Sequence, residues 1–350
     1  MSAINTHQPV VLEPASQALV EATAGPPFLY ELSPAEARAV LDELQAAPID
    51  KPPVDDRWIT VPADVGDVHV RIVRPPDAVG TLPVILYMHG GGWVLANADT
   101  HDRLVWELAV GTDAAVVFVE YDRSPEARYP VAIEQGYATA RWIVREGAAN
   151  QLDPNRIAVA GDSVGGNMTA ALTLMAQARG DVRFVHQSLY YPVTDAAMDT
   201  GSYEQFGEGY FLTAKMMAWF WDGYEPDLDR RLEPFASPLR ASDEQLTGLP
   251  PAFVIVDEAD VLRDEAEAYA ARLRAAGTAV TTVRYDGITH DFMMQNALSG
   301  THAARAAIAQ AIAMLRNALN TTTPAPGRPN QVIEENLSCE PFCRPASREP

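Results

Sequence analysis

Gly161-Asp162-Ser163-Val164-Gly165 follows a short apolar run, Arg156-Ile157-Ala158-Val159-Ala160, and opens a run of helix formers that extends from Gly165 to Ala178. A Gly-x-Ser-x-Gly pattern between a strand and a helix holds the serine hydroxyl out of the sheet on a sharp turn, and small flanking residues let the backbone make that turn. This is the placement of an acyl-transfer nucleophile. Five residues recur by chance, so the reading depends on what surrounds them.

Upstream, the apolar run Leu82 to Met88 ends in His89-Gly90-Gly91-Gly92-Trp93. Backbone N–H groups in a glycine run are unshielded. They can receive the oxyanion of a tetrahedral intermediate together with the amide of the residue after the nucleophile. Gly91, Gly92 and Val164 are the candidate donors, with Gly90 an alternate. A merely flexible loop would not explain why the run follows an apolar strand and precedes Ser163 by two strand–helix units.

Besides Leu82 to Met88 and Ile157 to Ala160, three stretches are continuously apolar: Ala115 to Val119, Leu189 to Tyr191 and Phe253 to Val256, with Val280 to Tyr285 a further candidate. Continuous rather than alternating runs suit strands covered on both faces, as in a parallel sheet. Helical patterns at about 101–111, 131–146, 165–178, 262–275 and 302–319 alternate with them, which predicts a doubly wound α/β sheet. Val68 to Val73 alternates as a half-buried strand. Ser33-Pro34-Ala35-Glu36 carries a capping box that starts a helix over Ala35 to Ala46. Residues 1–25 read as irregular surface chain. Residues 196–240 hold no strand pattern and are rich in aromatics, from Tyr203 and Phe206 to Trp221 and Tyr224, which predicts a helical insert over the site. Residues 321–350 have the composition of a disordered tail.

The bulk properties exclude several function classes. The chain has 350 residues, 47% of them hydrophobic, and a formal net charge of −21. Such a surface repels phosphate backbones and anionic headgroups, so nucleic-acid and membrane-surface binding are not expected. The two cysteines, Cys339 and Cys343, both lie in the tail, which leaves the body without a thiol nucleophile or a cysteine metal site. No secretory signal and no membrane span are visible, so a cytoplasmic protein is expected.

A serine nucleophile needs a base, and the base an orienting acid. Among seven histidines, His290 stands apart, in Gly287-Ile288-Thr289-His290-Asp291-Phe292 after the last strand and before the last long helix. Sites form at the carboxyl ends of parallel strands. His89 is read as shaping the glycine loop, and His101 and His302 as helix N-terminal residues. For the acid, position favours Asp257 or Asp260. Asp264 and Glu265 fall at a helix start, where they would complement the dipole.

Four blocks give the chain a family likeness: His89-Gly90-Gly91-Gly92-Trp93, Tyr121-Asp122-Arg123-Ser124-Pro125-Glu126, Gly161-Asp162-Ser163-Val164-Gly165-Gly166-Asn167 and Asp260-Val261-Leu262-Arg263-Asp264-Glu265. In this order the sequence resembles the hormone-sensitive lipase family of α/β-hydrolase esterases from about residue 10 to 319. The resemblance implies the α/β-hydrolase fold, a mostly parallel central sheet flanked by helices with a helical cap. It divides the chain into 1–50 (N-terminal part of the cap), 51–195 (first part of the core), 196–240 (cap insert), 241–320 (second part of the core) and 321–350 (tail). It also implies a triad of Ser163, His290 and Asp260, no cofactor and no metal. The implied substrate is a small carboxylic ester with a short-to-medium acyl chain. A homodimer is a family habit that no residue here fixes. An amidase or acyltransferase with the same triad, or a ligand-binding relative, is the competing class. Three positions depart from the pattern. Asp291 stands where glycine is usual, which either perturbs the base or points to solvent. Val164 replaces the usual alanine after the nucleophile, and Arg123-Ser124 replaces Leu-Ala before Pro125-Glu126.

Overall fold

The computed structural model describes residues 10–47, 49 and 54–321. His7, Lys51, the Pro52-Pro53 turn and the tail with Cys339 and Cys343 lie outside them. Eight strands form one sheet: β1 (Asp55–Val61), β2 (Val68–Arg74), β3 (Leu82–Met88), β4 (Ala115–Glu120), β5 (Leu152–Asp162), β6 (His186–Tyr190), β7 (Ala252–Ala259) and β8 (Val280–Thr289). Their spatial order is β1-β2-β4-β3-β5-β6-β7-β8. β2 is antiparallel to both β1 and β4, and every pairing from β4 across to β8 is parallel.

Successive side chains of a strand point to opposite faces, so a run that is apolar at every position must be covered twice. Val84, Leu86, Met88, Val117 and Val159 pack in one core with residues of α4 (Val131–Glu146) and α5 (Val164–Arg179). Ile85, Tyr87, Val116, Phe118 and Ala158 pack in a second with α3 (Asp102–Thr112) and α10 (His302–Leu319). α9 (Arg263–Ala275) covers Leu189, Val254 and Val256 in a third.

The N-terminal segment corrects the expectation of irregular surface chain. Pro14–Thr23 forms helix α1, with Ser16 and Leu19 buried. Ten residues make a marginal helix alone, and docking stabilises this one. Glu13 N donates to Gly287 O at 2.7 Å, and the Ser16 and Thr289 hydroxyls lie 3.0 Å apart. The Glu13 carboxylate accepts from the backbone N–H groups of His302 and Ala303, both at 2.9 Å, and so caps α10. Glu13→Ala is therefore expected to cost about 1 kcal/mol of stability, read as a lower urea midpoint. An unchanged midpoint would mean that water satisfies those amides equally well.

α2 (Pro34–Gln45) starts at the capping box, with Ser33 N donating to Glu36 Oε2 at 3.0 Å. β1 is a strand that sequence reading did not find. Its residues are mostly exposed and it has no apolar run, as suits an edge strand. Between β6 and β7 lie α6 (Gly201–Phe206), α7 (Ala214–Tyr224) and α8 (Asp243–Leu246), with no strand among them. α7 rests on the glycine loop after β3. The Trp93 and Tyr224 rings stack at 4.0 Å, and a Cβ on Gly92 would meet the Phe220 ring at 2.1 Å.

Candidate active site

Sheet register brings the three polar residues together. Asp162 ends β5 opposite Tyr190 of β6, and Ser163 follows directly. β7 and β8 run beyond the apolar stretches that announced them, as far as the pair Ala259 and Thr289. The next residue on each strand is Asp260 and His290. The acid and base therefore emerge side by side from adjacent parallel strands, and Ser163 emerges from the same edge of the sheet.

The geometry is that of a charge-oriented nucleophile. Ser163 Oγ lies 2.8 Å from His290 Nε2, and His290 Nδ1 lies 2.8 Å from Asp260 Oδ2. Leu262 N donates to the other oxygen of Asp260 at 3.0 Å, which fixes the carboxylate. In the neutral ring, with the Nδ1 proton facing Asp260, the Nε2 lone pair faces the serine hydroxyl. Ser163 has φ +54° and ψ −121°, a backbone conformation that L-residues rarely hold. The two glycines of the motif make that turn possible by close approach. A Cβ on Gly165 would stand 2.0 Å from Met88 O, and one on Gly161 would stand 2.3 Å from Gly165 O.

In the glycine loop, Gly91 and Gly92 have φ of +95° and +63°. Tyr121 Oη donates to His89 O at 3.0 Å, and Arg38 of α2 donates to Val94 O at 2.8 Å. Arg38 also grips both oxygens of Glu126, at 3.0 and 2.7 Å. The Tyr121 to Glu126 block thus fastens the loop to the N-terminal segment. Gly90 corrects the expectation of a spare oxyanion donor. Its amide is given to Asp162 Oδ1 at 3.2 Å.

A family profile described as the alpha/beta hydrolase fold matches residues 85–294. The chain is 37% identical over 288 residues to carboxylesterase NlhH of Mycobacterium tuberculosis, covering 81% of this chain and 89% of that protein. It is 35% identical over 277 residues to the ethyl acetate hydrolase of Pseudomonas putida, covering 77% and 86%. The crystal structure of a thermostable esterase from Pseudomonas putida superposes with a TM-score of 0.87 at 47% identity, over 90% of this chain and 99% of the other. The chain belongs to the hormone-sensitive lipase family of α/β-hydrolases.

Sequence reading missed one working part of this α/β-hydrolase. Asp162, next to the nucleophile, is fully buried and has three partners. It accepts from Tyr87 Oη at 2.7 Å and from Gly90 N, and its second oxygen lies 3.1 Å from His101 Nε2. Burial raises the Asp162 pKa, but the His101 charge and the hydrogen bonds from His101 and Tyr87 outweigh it and hold the carboxyl below its ordinary value. Burial opposes charge on His101 too, and the Asp162 carboxylate outweighs that and raises it. Both shifts describe a buried ion pair. His101 does start α3, as expected, yet its ring faces inward. His89 is also buried, stacked on Tyr121 at 4.1 Å, and burial together with the His101 charge pulls its pKa down to about 3.

Two blocks serve the insert rather than the chemistry. Asn167 Nδ2 donates to Val193 O at 3.1 Å, just before the insert, and to Ala236 O at 2.8 Å, near its end. Glu265 accepts from the amides of Thr194 and Asp195 at 2.6 and 3.2 Å, and Asp264 accepts from Ser202 N at 2.8 Å. Those carboxylates hold the start of the insert, a role beyond the dipole interaction expected of them.

Asp257, the other candidate acid, lies within β7 rather than after it, with both oxygens buried and unpartnered. Burial and the Asp260 charge hold its carboxyl well above the ordinary carboxylate range. Asp257, Asp260 and His290 can place ligand atoms within 4.8 Å of one another. Both ring nitrogens of His290 are already engaged, Nδ1 by Asp260 and Nε2 by Ser163. Among the described residues no helix is long and apolar enough to cross a membrane.

Proposed function

We propose that this protein is a serine carboxylesterase that cleaves short-to-medium acyl esters through an acyl-enzyme. The observation that carries the reading is the unbroken chain from Ser163 Oγ through His290 to Asp260, with 2.8 Å at each step. Relatives named as ester hydrolases support it.

In this reading the Ser163 Oγ–H proton passes to His290 Nε2 as Oγ adds to the ester carbonyl. Asp260 holds the ring by its Nδ1–H and stabilises the imidazolium. The amides of Gly91, Gly92 and Val164 receive the oxyanion, each worth about 2.7–4 kcal/mol in the transition state. The imidazolium then gives its proton to the departing alkoxide as the carbon–oxygen bond breaks. Water attacks the acyl-enzyme by the same proton path in reverse roles and frees the acid. Turnover needs no cofactor.

The described residues within 1–50 and the 196–240 insert form the cap in this reading. α7 lies on Gly92 and Trp93, and a cavity of about 300 Å³ separates Val20, Phe28 and Tyr30 from Tyr210, Phe211 and Met216. A groove of about 380 Å³, lined by Arg183, Phe184 and Pro250, shares no lining residue with either part of the cap. Short acyl groups follow from so closely packed a cap. Hydrolysis of p-nitrophenyl acetate, butyrate and palmitate is the test, with butyrate expected to exceed palmitate in kcat/KM by at least about 100-fold. A palmitate preference would overturn the chain-length assignment. Absence of hydrolysis on every ester in folded protein would overturn the esterase reading in favour of amide cleavage, acyl transfer or ligand binding. A cytoplasmic homodimer completes the proposal, and light scattering of the purified protein checks its stoichiometry.

A further inference from the structure

Asp291 does not point to solvent. Its side chain is 14% exposed, and its Oδ1 lies 3.4 Å from His290 Nε2, on the nitrogen that faces Ser163. That oxygen is buried and has no hydrogen-bond partner. The residue sits at φ +64°, a left-handed conformation that favours glycine, the residue usual there in the family. A chain that keeps a side chain in this conformation, buried against the catalytic imidazole, tolerates strain at the reacting centre.

We propose that Asp291 is a positioning residue for the His290 base, holding a proton on Nε2 in the free enzyme and stabilising the imidazolium formed during catalysis. The inference rests on the roles given above to Ser163 and His290. Other titratable groups face the pair. Asp260 occupies the Nδ1 side. Asp257 on β7 has its carboxyl pushed above the ordinary range by burial and the Asp260 charge. Asp162 at the end of β5 is paired with His101 of α3. Tyr191 presents its ring edge-on to His290 at 5.0 Å. Asp291 is thus the carboxylate that reaches the Nε2 edge.

Burial alone would lower the His290 pKa. The charges of Asp260 and Asp291 more than reverse this, aided by the Asp260 hydrogen bond, and raise it above the ordinary histidine value. Burial pushes Asp291 up to about 6 against the pull of His290, so its carboxyl is ionised in the neutral and alkaline range.

The two consequences oppose each other. A resting imidazolium cannot take the serine proton, so the acid limb of kcat/KM moves to higher pH. Once the ring is neutral it is a stronger base, and the cation formed as Oγ adds to the carbonyl is stabilised until its proton leaves with the alcohol.

The test compares wild type, Asp291→Asn and Asp291→Gly from about pH 5 to 10. It measures kcat/KM for p-nitrophenyl butyrate and the rate at which a fluorophosphonate labels Ser163. Asparagine and glycine both accept positive φ, so both variants keep the fold, checked by thermal denaturation. In both variants the acid limb should fall by about one pH unit or more, raising the rate on the wild-type limb about tenfold. The alkaline plateau should fall, so that the profiles cross. Unmoved limbs, or one uniform loss at every pH, would overturn the inference, since a merely structural residue gives that result. A shift in the glycine variant alone would also overturn it by assigning the effect to the backbone. If Ser163 is labelled but no ester is cleaved, the esterase reading fails while the labelling limbs still decide the role of Asp291.

Discussion

Ser163→Ala is expected to lower kcat for ester hydrolysis by at least about ten-thousand-fold and to change folding stability by no more than about 1 kcal/mol. The two effects separate because of what the hydroxyl touches. The Ser163 hydroxyl bonds to His290 Nε2. The backbone of residue 163 is held independently, by its N–H to Tyr190 O at 2.8 Å and its carbonyl to Asn167 N at 3.1 Å. Alanine meets the same φ of +54° as serine with no added clash. Adding His290→Ala to Ser163→Ala should cost little more, because residues of one proton path fail together. Asp260→Asn should cost about ten-thousand-fold by turning the ring to the wrong tautomer. Hydrolysis in purified Ser163→Ala clearly above the uncatalysed rate would remove Ser163 from the mechanism, whatever the circular dichroism showed.

The elements read correctly from sequence are those whose signal is local. β3 matches its apolar run at both ends, because a strand covered on both faces leaves no polar residue to blur its limits. α4 spans the predicted 131–146, and the Ser33 capping box starts α2 through bonds within four residues. α1 and β1 were hidden for the opposite reason. α1 is fixed by Glu13, Ser16 and Thr289, contacts that close over most of the chain. β1 lies at the sheet edge, where few of its side chains need be apolar.

The same division runs through the site. The Gly-x-Ser-x-Gly turn and the glycine run are local motifs whose shapes demand particular residues. The direction of a side chain across the sheet is not local. His101 reads as a helix start and is one, but its pairing with Asp162 depends on α3 packing beside the end of β5. Asp291 offered two directions in the sequence, and only its left-handed backbone, with Phe292 buried beside it, turns the carboxylate toward the imidazole. Asp257 and Asp260 were separable by neither composition nor spacing. Sheet register separates them, since Asp257 is inside β7 and Asp260 is the first residue free of it.

Asp162→Ala should be the most destabilising single change at the site, at about 3–5 kcal/mol near pH 5. The substitution removes an acceptor from three buried donors at once: Tyr87 Oη, Gly90 N and His101 Nε2. Part of the loss is the uncompensated charge left on His101. Asp162→Asn should therefore cost less, because its carbonyl still accepts from Tyr87 and Gly90 while its amide can donate to a neutral imidazole. The pH dependence has a definite sign. Asp162 has a lowered pKa, so its contribution is complete above its ordinary value of 3.8 and disappears as pH falls through the lowered one. His101 has a raised pKa, so its contribution is complete below its ordinary value of 6.5 and disappears as pH rises through the raised one. The gap between wild type and Asp162→Ala should thus be widest between those two ordinary values and narrow on either side. Urea denaturation across this range measures it. A gap that widened steadily into alkaline pH would mean that His101 is neutral in the native protein and that Asp162 serves only as a hydrogen-bond acceptor. Because Gly90 loses its anchor in the same variant, the neighbouring Gly91 and Gly92 amides should lose their aim. Asp162→Ala should then lower kcat even under conditions in which it remains folded.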